Sequence, residues 1–301
     1  MSSMAHSGVI GYRRRSTPLH AVRAPVAAAY GGALATGALI VDHPLLLGAL
    51  GLAVLGAGAA AGVAGQLARA GRRTILPMLL LTVLVNVLVS RGGLTVFARL
   101  GDWGVLGQVN LTLEAVIYGL VLGLRLFVVS MACLLVVCTA NPDELLYALR
   151  RFSPRSALTA TLTTRLIPVL GEDARRLAEA QRCRPDGGAR GARGRLAVLR
   201  ATVSGALERS LDVAAVLEMR GYGAGSRTRR ARPPRSRHDV AFAAAAAGLL
   251  GLALLAALTP AGAFAAYPLV SIALTPGTLL LAVAIPAIAL APFADRRGID
   301  R

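Results

Sequence analysis

Two arginines stand where helical segments give out. Arg184 lies in Gln181-Arg182-Cys183-Arg184-Pro185, and Arg220 in Glu218-Met219-Arg220-Gly221-Tyr222. A guanidinium carries five donors in a planar fork suited to bidentate carboxylate pairing. Two readings apply to a cation at a helix C-terminus. It can complement the helix dipole, or it can enter an acidic groove on a partner. Other chemistries are excluded by one absence: all 33 basic residues are arginine and none is lysine. A phosphate-binding P-loop needs a lysine to reach the nucleotide, and Schiff-base and Ser-x-x-Lys mechanisms need one as well. If ATP drives this protein, another subunit hydrolyses it. Cys133, Cys138 and Cys183 make no Cys-x-x-Cys pair, and His6, His20, His43 and His238 make no His-Glu-x-x-His site. Asp42-His43 reads as a plain turn ahead of Pro44 rather than a metal site. No residue is assigned a catalytic or metal-ligating role.

The elements that must position these arginines are set by hydropathy. Of 301 residues, 16% are charged and 55% hydrophobic, whereas a soluble domain carries about 25% charged residues. The expected fold is an all-α polytopic membrane protein with about six transmembrane helices. The spans are expected at 26–41, 45–67, 74–89, 111–139, 240–258 and 269–291, and the stretches 42–44, 90–110 and 259–268 read as loops. A basic N-tail covers 1–25, spans one to four fill 26–139, a polar insert covers 140–239, spans five and six fill 240–291, and a short tail covers 292–301. Between residues 140 and 239 lie 20 of the 33 arginines and 10 of the 15 acidic residues, so this insert cannot lie in hydrocarbon. Arginine placement sets the orientation by the positive-inside rule. With the N-terminus cytoplasmic, the N-tail, the segment 68–73, the insert and the C-terminal tail fall inside, so both termini are cytoplasmic. Glu114 and Arg125 are the charged residues of span four. Eleven residues correspond to roughly 16 Å of helix, too far for direct pairing, so Arg125 is expected to pair with another subunit or to mark a shorter span. Asn86 in span three is suited to hydrogen bonding between helices.

Inside the insert the pattern is helical. Asn141-Pro142-Asp143-Glu144 is a start signal, with Asn141 as cap, Pro142 at the first helical position and Glu144 placed to close a capping box. Leu145, Leu146, Leu149 and Phe152 form one apolar face, and Pro154 ends the helix. A second helix covers 156–184, with Leu158, Leu162, Leu166, Ile167 and Leu170 in its first half and Pro168 expected to kink it. A third covers 195–220, with Leu196, Leu199, Val203, Leu207 and Leu211 on a stripe, and Gly221 and Gly223 as stop residues. The segment 227–237 is a basic linker. It has no interleaved aromatic residues to stack bases, so no nucleic-acid partner is expected.

The setting Leu217-Glu218-Met219-Arg220-Gly221-Tyr222-Gly223 resembles the second Ala-Arg-Gly-like triplet of the transmembrane T component of energy-coupling factor (ECF) transporters, the group that includes the cobalt-type permeases. Cys183-Arg184-Pro185 stands where the first triplet falls and departs from it, because Pro185 lacks the N–H and the freedom of glycine. The resemblance is close over 140–239 and architectural elsewhere. It implies a non-enzymatic coupling subunit of an ABC importer in the plasma membrane. Arg184 and Arg220, with Cys183, Pro185, Met219 and Gly221 beside them, would dock onto two ABC-type ATPase subunits. Leu145, Leu149, Phe152, Leu166, Leu199, Val203 and Leu207 would pack the coupling helices together and onto a small membrane substrate-binding subunit. No cofactor is expected on this chain, ATP being used by the partner ATPases, and the cargo would be a vitamin or a transition-metal ion. Two other classes fit the residues less well. A membrane-embedded enzyme acting on a lipid or prenyl substrate calls for clustered Asp, His or Glu at the membrane edge, and here they are dispersed. A secondary transporter calls for repeated spans, which the single large insert argues against.

Overall fold

The computed structural model describes residues 12, 15–89, 96–102, 108–149, 154–183, 191–222, 236–265, 271–272 and 274–295. Two compact units emerge: Met1–Leu145 with Arg235–Arg301, and Leu146–Pro234. The first holds the apolar helices α2 (Ala24–Ile40), α3 (Pro44–Ala60), α4 (Ala64–Ala70), α5 (Leu76–Val89), α6 (Leu113–Thr139), α10 (Arg237–Leu258) and α11 (Pro276–Leu290), preceded by the short α1 (Pro18–Ala21). A π-turn, Gly71–Ile75, joins α4 to α5, so Ala64–Leu88 is one candidate span. Leu113–Thr139, Arg237–Leu258 and Pro276–Phe293 are likewise long and apolar enough to cross a bilayer, while Ala24–Ile40 and Pro44–Ala60 are shorter apolar helices. The fold is an all-α, multi-pass membrane fold.

Two boundaries differ from the sequence expectation for a shared reason. The apolar run 45–67 is broken at Gly62, whose φ of 71° ends α3 in a left-handed turn, with Gly62 N–H on Ala59 O (3.0 Å) and Val63 N–H on Gly58 O (2.9 Å). This is a Schellman cap, and Arg15 donates from its guanidinium to Gly62 O. The next helix therefore starts at Ala64, and Arg69, Arg72 and Arg73 lie within it rather than in a loop. At the other end of the chain, Thr275 and Thr278 form a capping box with Pro276 at the first position, which delays α11 to Pro276. Hairpins replace parts of two expected loops. Strand β1 (Val96–Asp102) pairs antiparallel with β2 (Gln108–Thr112), and β3 (Phe264–Ala265) with β4 (Ser271–Ile272).

The core follows from small residues that let helices approach. Helix α2 packs between α10 and α6, and α3 between α6 and α11. Tyr30 donates its hydroxyl to Ala289 O at 2.8 Å, and the Tyr30, Phe242 and Phe293 rings meet edge to face, joining α2, α10 and the C-terminal end of α11. Helix α5 runs antiparallel to α6 along Gly119 and Gly123. A Cβ on Gly119 would come within 3.2 Å of Asn86 Cβ, and one on Gly123 within 3.0 Å of Leu79 Cγ. Asn86 thus lies on the packed face of α5. Arg125 finds its partner at the α2–α3 turn: its Nη2 donates to Val41 O at 3.0 Å and pairs with the Asp42 carboxylate. His43, fully buried in the same turn, accepts from Leu45 N–H at the start of α3. Glu114 is buried in the first turn of α6, where a carboxylate suits the dipole.

Candidate functional site: the coupling helices

The second unit consists of α8 (Pro154–Arg182) and α9 (Gly191–Met219), with the end of α7 (Pro142–Leu149) leading into it. Helix α7 begins as its sequence signal demands, with Asp143 N–H on Asn141 Oδ1 at 3.1 Å. Glu144 does not close the expected capping box by a bond the structure shows. Instead its Oε2 accepts Ala24 N–H at 3.1 Å, at the start of α2. The reason is local: α2 opens with Arg23-Ala24-Pro25, which has no side chain able to cap it. Its free N–H groups are met from distant segments. Arg23 N–H goes to Asp239 Oδ1 at 3.0 Å. Asp239 also receives Ser236 N–H at 3.0 Å, closing the capping box of α10. One carboxylate from each root of the insert therefore holds the first turn of α2. Sequence reasoning missed both contacts. The uncapped start of α2 was the available signal that caps had to be borrowed.

Pro154 opens α8, and the helix runs through Pro168. The α8–α9 pair is joined by an ion pair between Asp173 and Arg209 at 3.1 Å. Arg209 lies on a half-buried stripe of α9 with Val198, Thr202, Ala206, Val213 and Leu217. These residues recur every three or four positions and so share a face. A groove between the helices is lined by Ala174, Ala178 and Gln181 on one side and Gly194, Val198 and Thr202 on the other. The larger apolar stripe lies alongside and stays open. Leu199 is 60% exposed, Val203 49%, Leu207 62% and Leu211 71%. The sequence singles out the leucine stripe as the packing face. The structure instead turns Val198, Thr202, Ala206 and Arg209 toward α8 and leaves Leu199, Leu207 and Leu211 exposed. On α8, Leu166 is half-buried while Ile167 is exposed. Leu145 packs against the core of the first unit. Phe152 and the side chain of Leu149 lie outside the described residues.

Arg220 occupies the cap position of α9. Gly221 N–H bonds Glu218 O at 2.8 Å and Tyr222 N–H bonds Leu217 O at 2.9 Å, the paired bonds of a Schellman motif. Gly221 holds the left-handed turn at φ 73°, and this aims the chain away while Arg220 stays exposed. Among the described residues Arg220 makes no ion pair. Met219 beside it is 79% exposed. Cys183 is exposed in the turn after α8, its N–H on Glu179 O at 3.1 Å. Arg184, Pro185 and residues 227–235 of the basic linker lie outside the described residues.

The multi-pass helical body defines a membrane protein, and α9 presents an exposed arginine and an open leucine stripe. A family model described as cobalt transport protein, CbiQ, matches residues 16–230, and the chain belongs to that family. It is also similar to the energy-coupling factor transporter transmembrane protein EcfT of Macrococcus caseolyticus, with 27% identity over 175 residues. The match covers 53% of this chain and 63% of that relative.

Proposed function

We propose that this chain is the transmembrane coupling subunit of an ECF-type ABC importer, with no catalytic activity or cofactor of its own. The observation that carries this reading is the end of α9. The Schellman turn presents Arg220 as an exposed cation at a fixed place, next to a leucine stripe that α8 does not use. Arg220, and Arg184 by its equivalent position after α8, dock into acidic grooves of two ABC-type ATPase subunits. The stripe through Leu199, Val203 and Leu207 carries the motion to a small membrane subunit that binds a vitamin or a transition-metal ion. Both chain termini and the coupling helices lie on the cytoplasmic side of the plasma membrane, where the arginine excess belongs.

Charge reversal tests the docking. A guanidinium placed against a carboxylate and replaced by Glu sets like charges together, which costs several kcal/mol at an interface. Arg220→Glu and Arg184→Glu should each abolish ATPase co-purification and uptake while leaving the chain in the membrane. Retention of both assembly and uptake in both variants defeats the proposal.

A further inference from the structure

Three arginines stand in an unexpected place. Arg69, Arg72 and Arg73 are exposed on the helix formed by α4, the π-turn and α5, and among the described residues none of them makes an ion pair. Their depth can be read from close packing. A Cβ on Gly71 would lie 2.5 Å from Met131 Cε on α6. Further along, Gly123 faces Leu79 and Gly119 faces Val83. The helix thus runs antiparallel to α6 in constant register, and Arg72 and Arg73 lie beside the segment of α6 near Met131. From Met131 to the end of α6 at Thr139 is roughly 12 Å of helix. The arginine Cα atoms therefore lie alongside α6, about 12 Å short of its end, rather than beyond it.

Charged side chains at that depth reach for an interface. Side chains on a helix lean toward its N-terminus, which for α4 is the end nearer Thr139. Arg69 shows this lean directly, with its Nε donating to Gly65 O at 3.0 Å, one turn back. In the other direction the same helix presents an open apolar face: Leu76 is 44% exposed, Leu80 60% and Leu84 55%. These positions continue the Arg69–Arg73 stripe at helical spacing. The arrangement is a cationic site suited to an anionic head, with an apolar track about 12 Å long leading away from it along the helix.

We infer that this face binds an anionic phospholipid. The arginines hold its phosphate, and one acyl chain lies along Leu76, Leu80 and Leu84. The π-turn is the enabling device. Its extra residue widens the helix where Gly71 crowds Met131, and it leaves Arg72, Arg73 and Thr74 all exposed. The leaflet follows from the orientation proposed above and is the inner one. The site itself does not depend on the ATPase or cargo assignments.

The test uses the full chain. Wild type, Arg72→Gln/Arg73→Gln and the equal-charge control Arg193→Gln/Arg200→Gln are purified, checked for folding by size exclusion, and placed in nanodiscs of phosphatidylcholine with or without phosphatidylglycerol. Retained phosphatidylglycerol is measured by native mass spectrometry, and thermal midpoints are recorded in both discs. Each juxtamembrane arginine contributes about fivefold to binding, so the double variant should hold phosphatidylglycerol on the order of 25-fold more weakly and lose the phosphatidylglycerol-dependent rise in midpoint. The control should keep both. Equal retention by the double variant overturns the inference. So does full stabilisation of detergent-solubilised wild type by inorganic phosphate alone, which would make the site a phosphate site. Loss of a co-purifying membrane subunit from the double variant, with its phosphatidylglycerol response intact, also overturns it and assigns the face to a protein partner.

Discussion

Asp239 holds the beginnings of two helices, and its removal should loosen the membrane body where the coupling insert re-enters. One oxygen accepts Ser236 N–H at 3.0 Å and the other accepts Arg23 N–H at 3.0 Å, and the residue is 5% exposed. In Asp239→Ala the reciprocal half of the α10 capping box, Ser236 N–H on the carboxylate, is lost, at about 1 kcal/mol. Arg23 N–H loses a charged acceptor in a partly buried setting, at about 1–3 kcal/mol. The Arg23–Asp239 ion pair adds little, because the Arg23 side chain is 33% exposed. The expected total is about 2–4 kcal/mol. Asp239→Asn keeps one amide oxygen and should lose roughly half of that. Cys138 supplies the readout, being buried while Cys133 and Cys183 are exposed. In a Cys133→Ser/Cys183→Ser background, thiol-dye labelling of Cys138 reports opening of the core. If opening and closing are fast relative to labelling, the rate should rise on the order of 30- to 800-fold in Asp239→Ala. Glu172→Ala removes an exposed pair with Arg176 and should leave the rate unchanged. A rate for Asp239→Ala within about twofold of the parent refutes the shared-cap reasoning.

Gly221→Ala places a Cβ on a left-handed residue with open space around it, so the cost is about 1–2 kcal/mol of backbone strain, confined to the last turn of α9. ATPase co-purification should fall while the thermal midpoint of the membrane body holds, and Gly221→Asn should retain more binding than Gly221→Ala. His20, on the short α1, has its pKa lowered by burial and by the Arg15 charge, with the Cys138 backbone carbonyl, an acceptor for the ring, opposing them. The folded protein therefore favours neutral His20. Its stabilisation is present above the ordinary value of 6.5 and is lost as pH falls below it. Midpoints recorded from pH 8 to pH 5 should decline more steeply for wild type than for His20→Gln.

Much of the architecture was legible because its causes are local. Hydropathy over a window of helix length reflects the transfer of side chains into hydrocarbon, and it found the six apolar segments. Asn141-Pro142 and Gly221 mark helix ends through hydrogen bonds within one turn, and both ends lie where those residues stand. Gly62 is equally local but lies inside an apolar run, where hydropathy passes over it, so Arg69, Arg72 and Arg73 read as lying between spans although they stand on one helix. The short hairpins were also missed, since a few paired residues beside long apolar helices leave little pattern.

The chain's own residue types determined that it crosses a membrane, that it has no lysine with which to build a nucleotide-binding P-loop, and that more than half of its excess charge sits in one insert whose long helices end near Arg184 and Arg220. Only the tertiary structure decided which groups meet. Arg125 is matched by Asp42, Glu144 and Asp239 cap a helix more than a hundred residues away in sequence, and the smaller-residue stripe of α9 faces α8 while the leucines stay open. Those choices depend on which segments pack side by side. An uncapped N–H, a lone intramembrane guanidinium or a second apolar stripe states what a residue needs, and the packing of distant helices selects what supplies it.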